Sequence, residues 1–197
     1  MARRARSGFE ATAGRWELGV LSPWDGHHLP VARQLRRRLR EAGFGVEGWF
    51  ADRLALAGLL AQLARGPALA IYLGHGSPWG LDAFGGVGLA KIGASKPWRS
   101  CGSLALLACR TAAPRGSAPG FATMLQAEGR VLSCLAAVAD VEQATNAALA
   151  RRLVGALADG ARSLGECLVR LDRELGLGIH AGARCGRIDC SGCRSNP

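Results

Sequence analysis

Two short runs, "ALAIYLG" (Ala68 to Gly74) and "GSLALLAC" (Gly102 to Cys109), constrain this chain more than any other feature. Both are apolar on two faces rather than on alternate residues, so neither side of the segment suits water. Each is the length of a strand and too short for a helix buried all round. Strands of this kind belong in the middle of a parallel sheet with helices on both sides.

The flanking sequence supplies those helices. "WELGVLSPW" (Trp16 to Trp24) reads as a first strand ending in a Ser-Pro turn. "GHHLPVARQLRRRLREAGF" follows as a helix with Leu29, Ala32, Leu35 and Leu39 inward, closing on Gly43. "FGVEGWF" (Phe44 to Phe50) is a second strand, and "RLALAGLLAQLARG" (Arg53 to Gly66) a helix stopped by Gly66-Pro67. Beyond Cys109, "GFATMLQAEG" reads as a short helix and "RVLSCLAAVAD" as a strand. Helices over Val141 to Gly160 and Ser163 to Gly176 complete the pattern. Alternating strands and helices imply an α/β class with a three-layer α/β/α sandwich and a mainly parallel central sheet. The expected organisation is a basic segment over 1–14, one domain over 15–176, and a peripheral Gly/Cys-rich tail over 177–197.

Composition is consistent with one folded domain. At 197 residues and 49% hydrophobic content, the chain can bury a sizeable core. No run approaches the roughly 18 apolar residues of a membrane span. The basic start "MARRARSGFEATAG" has no apolar segment behind it, so a cytoplasmic protein is expected rather than an exported one. The net charge of +10 raises nucleic acid as a partner. Only Lys91 and Lys96 are lysines, however, so the excess is arginine in an Ala- and Gly-rich chain, which suits codon bias as readily as a binding surface. The densest cluster, Arg33 to Arg40, reads as a solvated helix face. Seven scattered cysteines, an odd number, fit reduced thiols better than a disulfide framework.

Chemistry gathers where the two apolar strands end, because open α/β sheets place functional groups at the carboxyl ends of their strands. One run leads to His75 in "IYLGHGSPW", the other to Cys109 in "LALLACRTA". If the strands are neighbours, His75 and Cys109 form a catalytic pair of nucleophile and general base. Gly74 and Gly76 clear room beside the imidazole, and the N–H groups of Gly76 and Cys109 are candidate oxyanion donors. Ser77-Pro78-Trp79 begins a loop that walls the groove. Cys101, Cys134 and Cys167 sit within strand or helix patterns and read as core or surface thiols.

"YLGHGSPW" followed by "LALLACRTA" resembles the caspase-like (clan CD) cysteine peptidases, among them caspases, gingipains, separases, legumains and CHAT domains. Of the caspase signature Gln-Ala-Cys-[Arg/Gln/Gly]-Gly, only Ala108, Cys109 and Arg110 match; Leu107 and Thr111 depart from it. "GFATML", "EGRVLSCLAAVADVEQAT" and "GARSLGEC" are similar to the CHAT branch, and "GHGSPW" to gingipains. The resemblance spans Trp16 to Leu175 and implies a caspase-like fold and a thiol protease (hydrolase) with a His75–Cys109 dyad.

It also implies a substrate pocket at the end of the first strand. Gingipain-like members carry an acidic residue there for a basic side chain, and the matching turn here is "LSPWDGHH" with Asp25. Asp140 is the second substrate-binding candidate, lining the same edge from the next strand. Asp25 is equally suited to cap the following helix. His27 and His28 read as first-turn helix residues at the pocket rim rather than as metal ligands with Asp25. In the tail, His180, Cys185, Cys190 and Cys193 are secondary candidates for a zinc site, and the dyad itself needs no cofactor.

The expected function is therefore an endopeptidase that cleaves after Arg or Lys in a protein or peptide substrate, with an activating protein as a possible partner. Two alternatives remain: a catalytically silent caspase-like module that binds a protein, and a basic zinc- or nucleic-acid-binding domain.

Overall fold

The structure is a computed structural model and describes residues 17–22, 26–50, 56–82, 86–94, 100–175, 180–182 and 185–188. Its elements run β1 (Glu17–Ser22), α1 (His28–Glu41), β2 (Gly45–Phe50), α2 (Leu56–Ala64), β3 (Leu69–Leu73), β4 (Gly76–Ser77), β5 (Gly80–Leu81), β6 (Val87–Gly88) and α3 (Leu89–Ala94). They continue with β7 (Cys101–Leu107), α4 (Phe121–Ala127), β8 (Val131–Ala137), α5 (Gln143–Ala158), α6 (Leu164–Leu175), β9 (His180–Gly182) and β10 (Cys185–Ile188).

The main sheet has the order β2-β1-β3-β7-β8-β10-β9, parallel throughout except for β9 at its edge. Period-2 alternation sends each central strand into two cores. Leu69, Ile71 and Leu73 of β3, with Ala105 and Leu107 of β7, pack with residues of α1, α5 and α6 such as Leu35, Leu153 and Leu171. Ala70 and Tyr72, with Leu104 and Leu106, face the opposite way toward Leu63, Ile92 and Phe121. The expected three-layer α/β/α sandwich is what the chain forms. Each Leu or Ile so buried contributes about 1.5–3 kcal/mol of transfer free energy, which is why the apolar runs settle in the centre.

The strand order fixes where a site can form. From β1 the chain moves outward to β2, then returns past β1 to β3 and continues to β7 and β8. Connections thus diverge between β1 and β3, opening a crevice at their carboxyl ends.

Four features differ from the sequence reading or add to it. The central strands are shorter, with β3 ending at Leu73 and β7 at Leu107; beyond β7 the chain turns at Arg110, which adopts φ +54°. Between His75 and Ser100 a small antiparallel sheet, β4-β5-β6, and helix α3 appear where no element was expected. Two-residue strands carry no readable periodicity; this one depends on Gly80, at φ +155°, where a Cβ would lie 2.2 Å from the Val87 carbonyl oxygen. The tail is not merely peripheral, since β10 pairs with β8 and β9 with β10. Finally, the arginines of α1 are partly committed to the fold: Arg40 donates from Nε and Nη2 to the Val46 carbonyl at 3.2 and 2.9 Å.

Candidate active site

β3 and β7 are parallel neighbours, with Leu73 opposite Leu107. His75 lies two residues beyond Leu73 and Cys109 two residues beyond Leu107, so the register brings both to one level at the same sheet edge. The Gly74 N–H still donates to the Leu107 carbonyl at 3.3 Å, holding the two strand ends together up to the residues of interest.

His75 is exposed, and its main chain is fixed from two directions. Tyr72 Oη donates to the His75 carbonyl at 2.7 Å, and the Asp82 N–H donates to the same oxygen at 3.2 Å. The second bond also orients Gly76. In the β4–β5 hairpin Gly76 stands opposite Leu81. A bond from Asp82 to His75 is the pattern that brackets a non-hydrogen-bonded pair, so the Gly76 N–H turns away from the ladder. No carbonyl among the described residues accepts the Cys109 N–H.

Gly76 is also required sterically. A Cβ there would lie 2.7 Å from Thr111 Cγ2 and 3.0 Å from Ala108 Cβ, both fully buried side chains. The hairpin tip is anchored by the Phe121 N–H donating to the Pro78 carbonyl at 2.9 Å. It presents Trp79 with 64% of its surface exposed.

Cys109 is half-buried, and its sulfur is held by the main chain that follows β8. The Val141 N–H donates to Sγ at 3.4 Å, and Sγ–H donates to the Val141 carbonyl at 3.5 Å. Val141 lies on the β8 side and His75 on the β3 side, and no hydrogen bond joins the imidazole to the sulfur among the described residues. Sequence reasoning missed the Val141 contact, since main-chain atoms leave no side-chain signature. The residue after Cys109, Arg110, is the single non-glycine at positive φ among the described residues, and its N–H donates to the Ala139 carbonyl at 3.1 Å.

The remaining thiols are chemically distinct. Cys101, Cys134 and Cys167 are buried. Burial pushes the Cys101 thiol up to about 12, against smaller opposing contributions of the Ala70 and Ser103 main chain. Burial also raises Cys167 to about 12, with Arg170 opposing. Core thiols of this kind are inert.

Asp140 is exposed next to Val141, on the Cys109 side of the sheet edge. Asp25 lies outside the described residues. His27 is the N-cap residue of α1 and His28 its first residue; the His28 ring is buried and meets the His75 ring. The sequence reading left His28 at the pocket rim; its burial continues the inward face Ala32, Leu35, Leu39 back by four residues from Ala32. Of the tail candidates, His180 lies in β9 and Cys185 in β10, while Cys190 and Cys193 fall outside the described residues. Among the described residues no three metal-ligating side chains cluster, and no helix is long and apolar enough to cross a membrane.

No protein-family model matches this sequence, and no curated protein matches it either. Solved structures do. The Arg-specific cysteine proteinase gingipain R (RgpB) superposes with a TM-score of 0.64 at 13% identity, over 86% of this chain and 44% of that one. The complex of RgpB pro- and mature domains from Porphyromonas gingivalis matches with a TM-score of 0.54 at 18% identity, over 74% of this chain and 37% of that one. The chain thus spans less than half the length of these cysteine proteinases. At such identities the likeness shows the fold, and the fold is the caspase-like one of gingipain R.

Proposed function

We propose that this chain is a caspase-like cysteine endopeptidase with His75 and Cys109 as its dyad, placed between the gingipain-like and CHAT branches. The observation that carries the reading is the β3–β7 register, which brings an imidazole and a thiol to the same level on adjacent strand ends. Cys109 Sγ attacks the scissile carbonyl carbon while His75 takes the thiol proton and then delivers it to the leaving amine. The N–H groups of Gly76 and Cys109 receive the oxyanion. Water, activated by His75, then cleaves the thioester. For the attack, the sulfur exchanges its Val141 contacts for the substrate.

Asp25 and Asp140 are the carboxylates suited to a basic side chain, giving cleavage after Arg or Lys. An Arg-specific relative on the same fold supports that preference. Partners on this reading are a protein or peptide substrate and an activating protein. The test is a panel of short fluorogenic peptides with Arg, Lys or Asp before the cleaved bond, with Cys109→Ala as control. Turnover confined to the basic peptides and absent in the variant is expected. A panel with no turnover, together with no labelling of Cys109 by a peptidyl acyloxymethyl ketone, would sink the proposal.

A second reading, a silent module that binds a protein through the same groove, draws on the engagement of Cys109 Sγ by Val141 instead of His75. It predicts that Cys109 reacts with a small alkylating agent no faster than an ordinary exposed thiol. The tail set His180, Cys185, Cys190 and Cys193 stays a zinc proposal, tested by metal analysis of the purified protein.

A further inference from the structure

The crevice between β1 and β3 contains one contact that the dyad does not use. Helix α1 opens on His28 just after β1, and His28 is only 2% exposed. Its ring meets that of His75 edge-to-face, with centroids 5.2 Å apart and planes at 89°. Three adjacent strands, β1, β3 and β7, therefore lead at their carboxyl ends to His28, His75 and Cys109 in a row.

We infer that His28 is a positioning residue for His75, holding the plane of the imidazole by ring-edge contact so that it addresses Cys109. The inference rests on the proposed dyad. The bonds from Tyr72 and Asp82 fix only the His75 carbonyl and leave χ1 and χ2 of an exposed side chain free. His28, by contrast, is locked: it begins a 14-residue helix whose Leu29, Ala32, Leu35 and Leu39 are buried in the core. A buried ring on a packed helix is a fixed surface, and orthogonal packing against it selects one orientation of the mobile ring. Without it, three χ1 wells and two broad χ2 wells give about six orientations. If one is productive, turnover falls about five- to tenfold.

Three variants separate this role from bulk stability. His28→Phe keeps a flat ring, His28→Leu keeps much of the volume without it, and His28→Ala removes both. The expected result on an Arg peptide is a kcat about five- to tenfold lower in His28→Leu and His28→Ala, with KM within about twofold of wild type, and recovery of most of the loss in His28→Phe. Unchanged kcat in a folded His28→Leu, or a His28→Phe as slow as His28→Leu, would overturn the inference. If wild type neither cleaves the peptide nor takes the acyloxymethyl ketone on Cys109, the peptidase reading fails, and NMR of the imidazole rings decides the contact alone. With four histidines to assign, NOEs that fix a single His75 ring orientation in wild type and in His28→Phe but not in His28→Leu support the inference. The same orientation in all three proteins, or its loss in both variants, overturns it.

Discussion

Substituting Gly76 with alanine should damage stability and turnover together, and a second substitution should restore the stability. The new Cβ would sit 2.7 Å from Thr111 Cγ2, 3.0 Å from Ala108 Cβ and 3.3 Å from the Gly80 carbonyl oxygen. None of the three retreats easily. Thr111 and Ala108 are fully buried, the Thr111 carbonyl accepts the Ala122 N–H at 2.9 Å, and Gly80 is pressed against Val87. Overpacking of this kind costs about 1–3 kcal/mol, which in a chain of this size lowers the melting temperature by roughly 3–10 °C. Relief displaces the hairpin and with it the Gly76 N–H, so kcat on an Arg peptide should fall at least about tenfold. Thr111→Ser deletes the methyl that makes the shortest contact, and alone costs about 1 kcal/mol. In the double variant the methyl introduced by Gly76→Ala occupies that space, so the two changes should couple favourably by about 1 kcal/mol or more. Thermal melts of the four proteins and their kcat values make the cycle. A Gly76→Ala protein as stable as wild type, or a double variant whose losses simply add, would refute the steric argument.

Two further outcomes follow from strain and burial. Arg110→Gly relieves a left-handed residue worth about 1–2 kcal/mol against about 0.5–1 kcal/mol of added chain entropy, so the melting temperature should hold or rise slightly; a clear fall would contradict the turn assigned to Arg110. Cys101 and Cys167 keep their protons in the native state up to about 12, against an ordinary 9.0. The unfolded chain releases protons first, so their contribution to stability is complete below pH 9 and is lost as pH rises toward 12. Chemical denaturation at a series of pH values should show that decline, and its absence in Cys101→Ala/Cys167→Ala would assign it.

The sheet was legible in the sequence because β3 and β7 are buried on both sides, and burial on two faces leaves a pattern that needs no partner to read. Helix α1 was legible through Ala32, Leu35 and Leu39, all of which are buried. The β4–β5–β6 sheet was not, because pairs such as Gly76-Ser77 are too short for any period and depend on close backbone approach at Gly80. Strands β9 and β10 were hidden by a composition that reads as loop. At the site, His75 and Cys109 could be picked out as side chains, but the His28 contact needed the strand order, which puts β1 beside β3. The grip of Val141 on Cys109 is a main-chain interaction between residues 32 apart and has no sequence signal.

The central claim is that His75 activates Cys109, and the most direct measurement is the rate at which iodoacetamide alkylates Cys109 at neutral pH, read by mass spectrometry of the peptide that contains it. Wild type should label Cys109 well ahead of the buried Cys101, Cys134 and Cys167, and His75→Ala should slow Cys109 at least about tenfold while leaving the fold intact. Equal rates in wild type and His75→Ala would contradict the dyad.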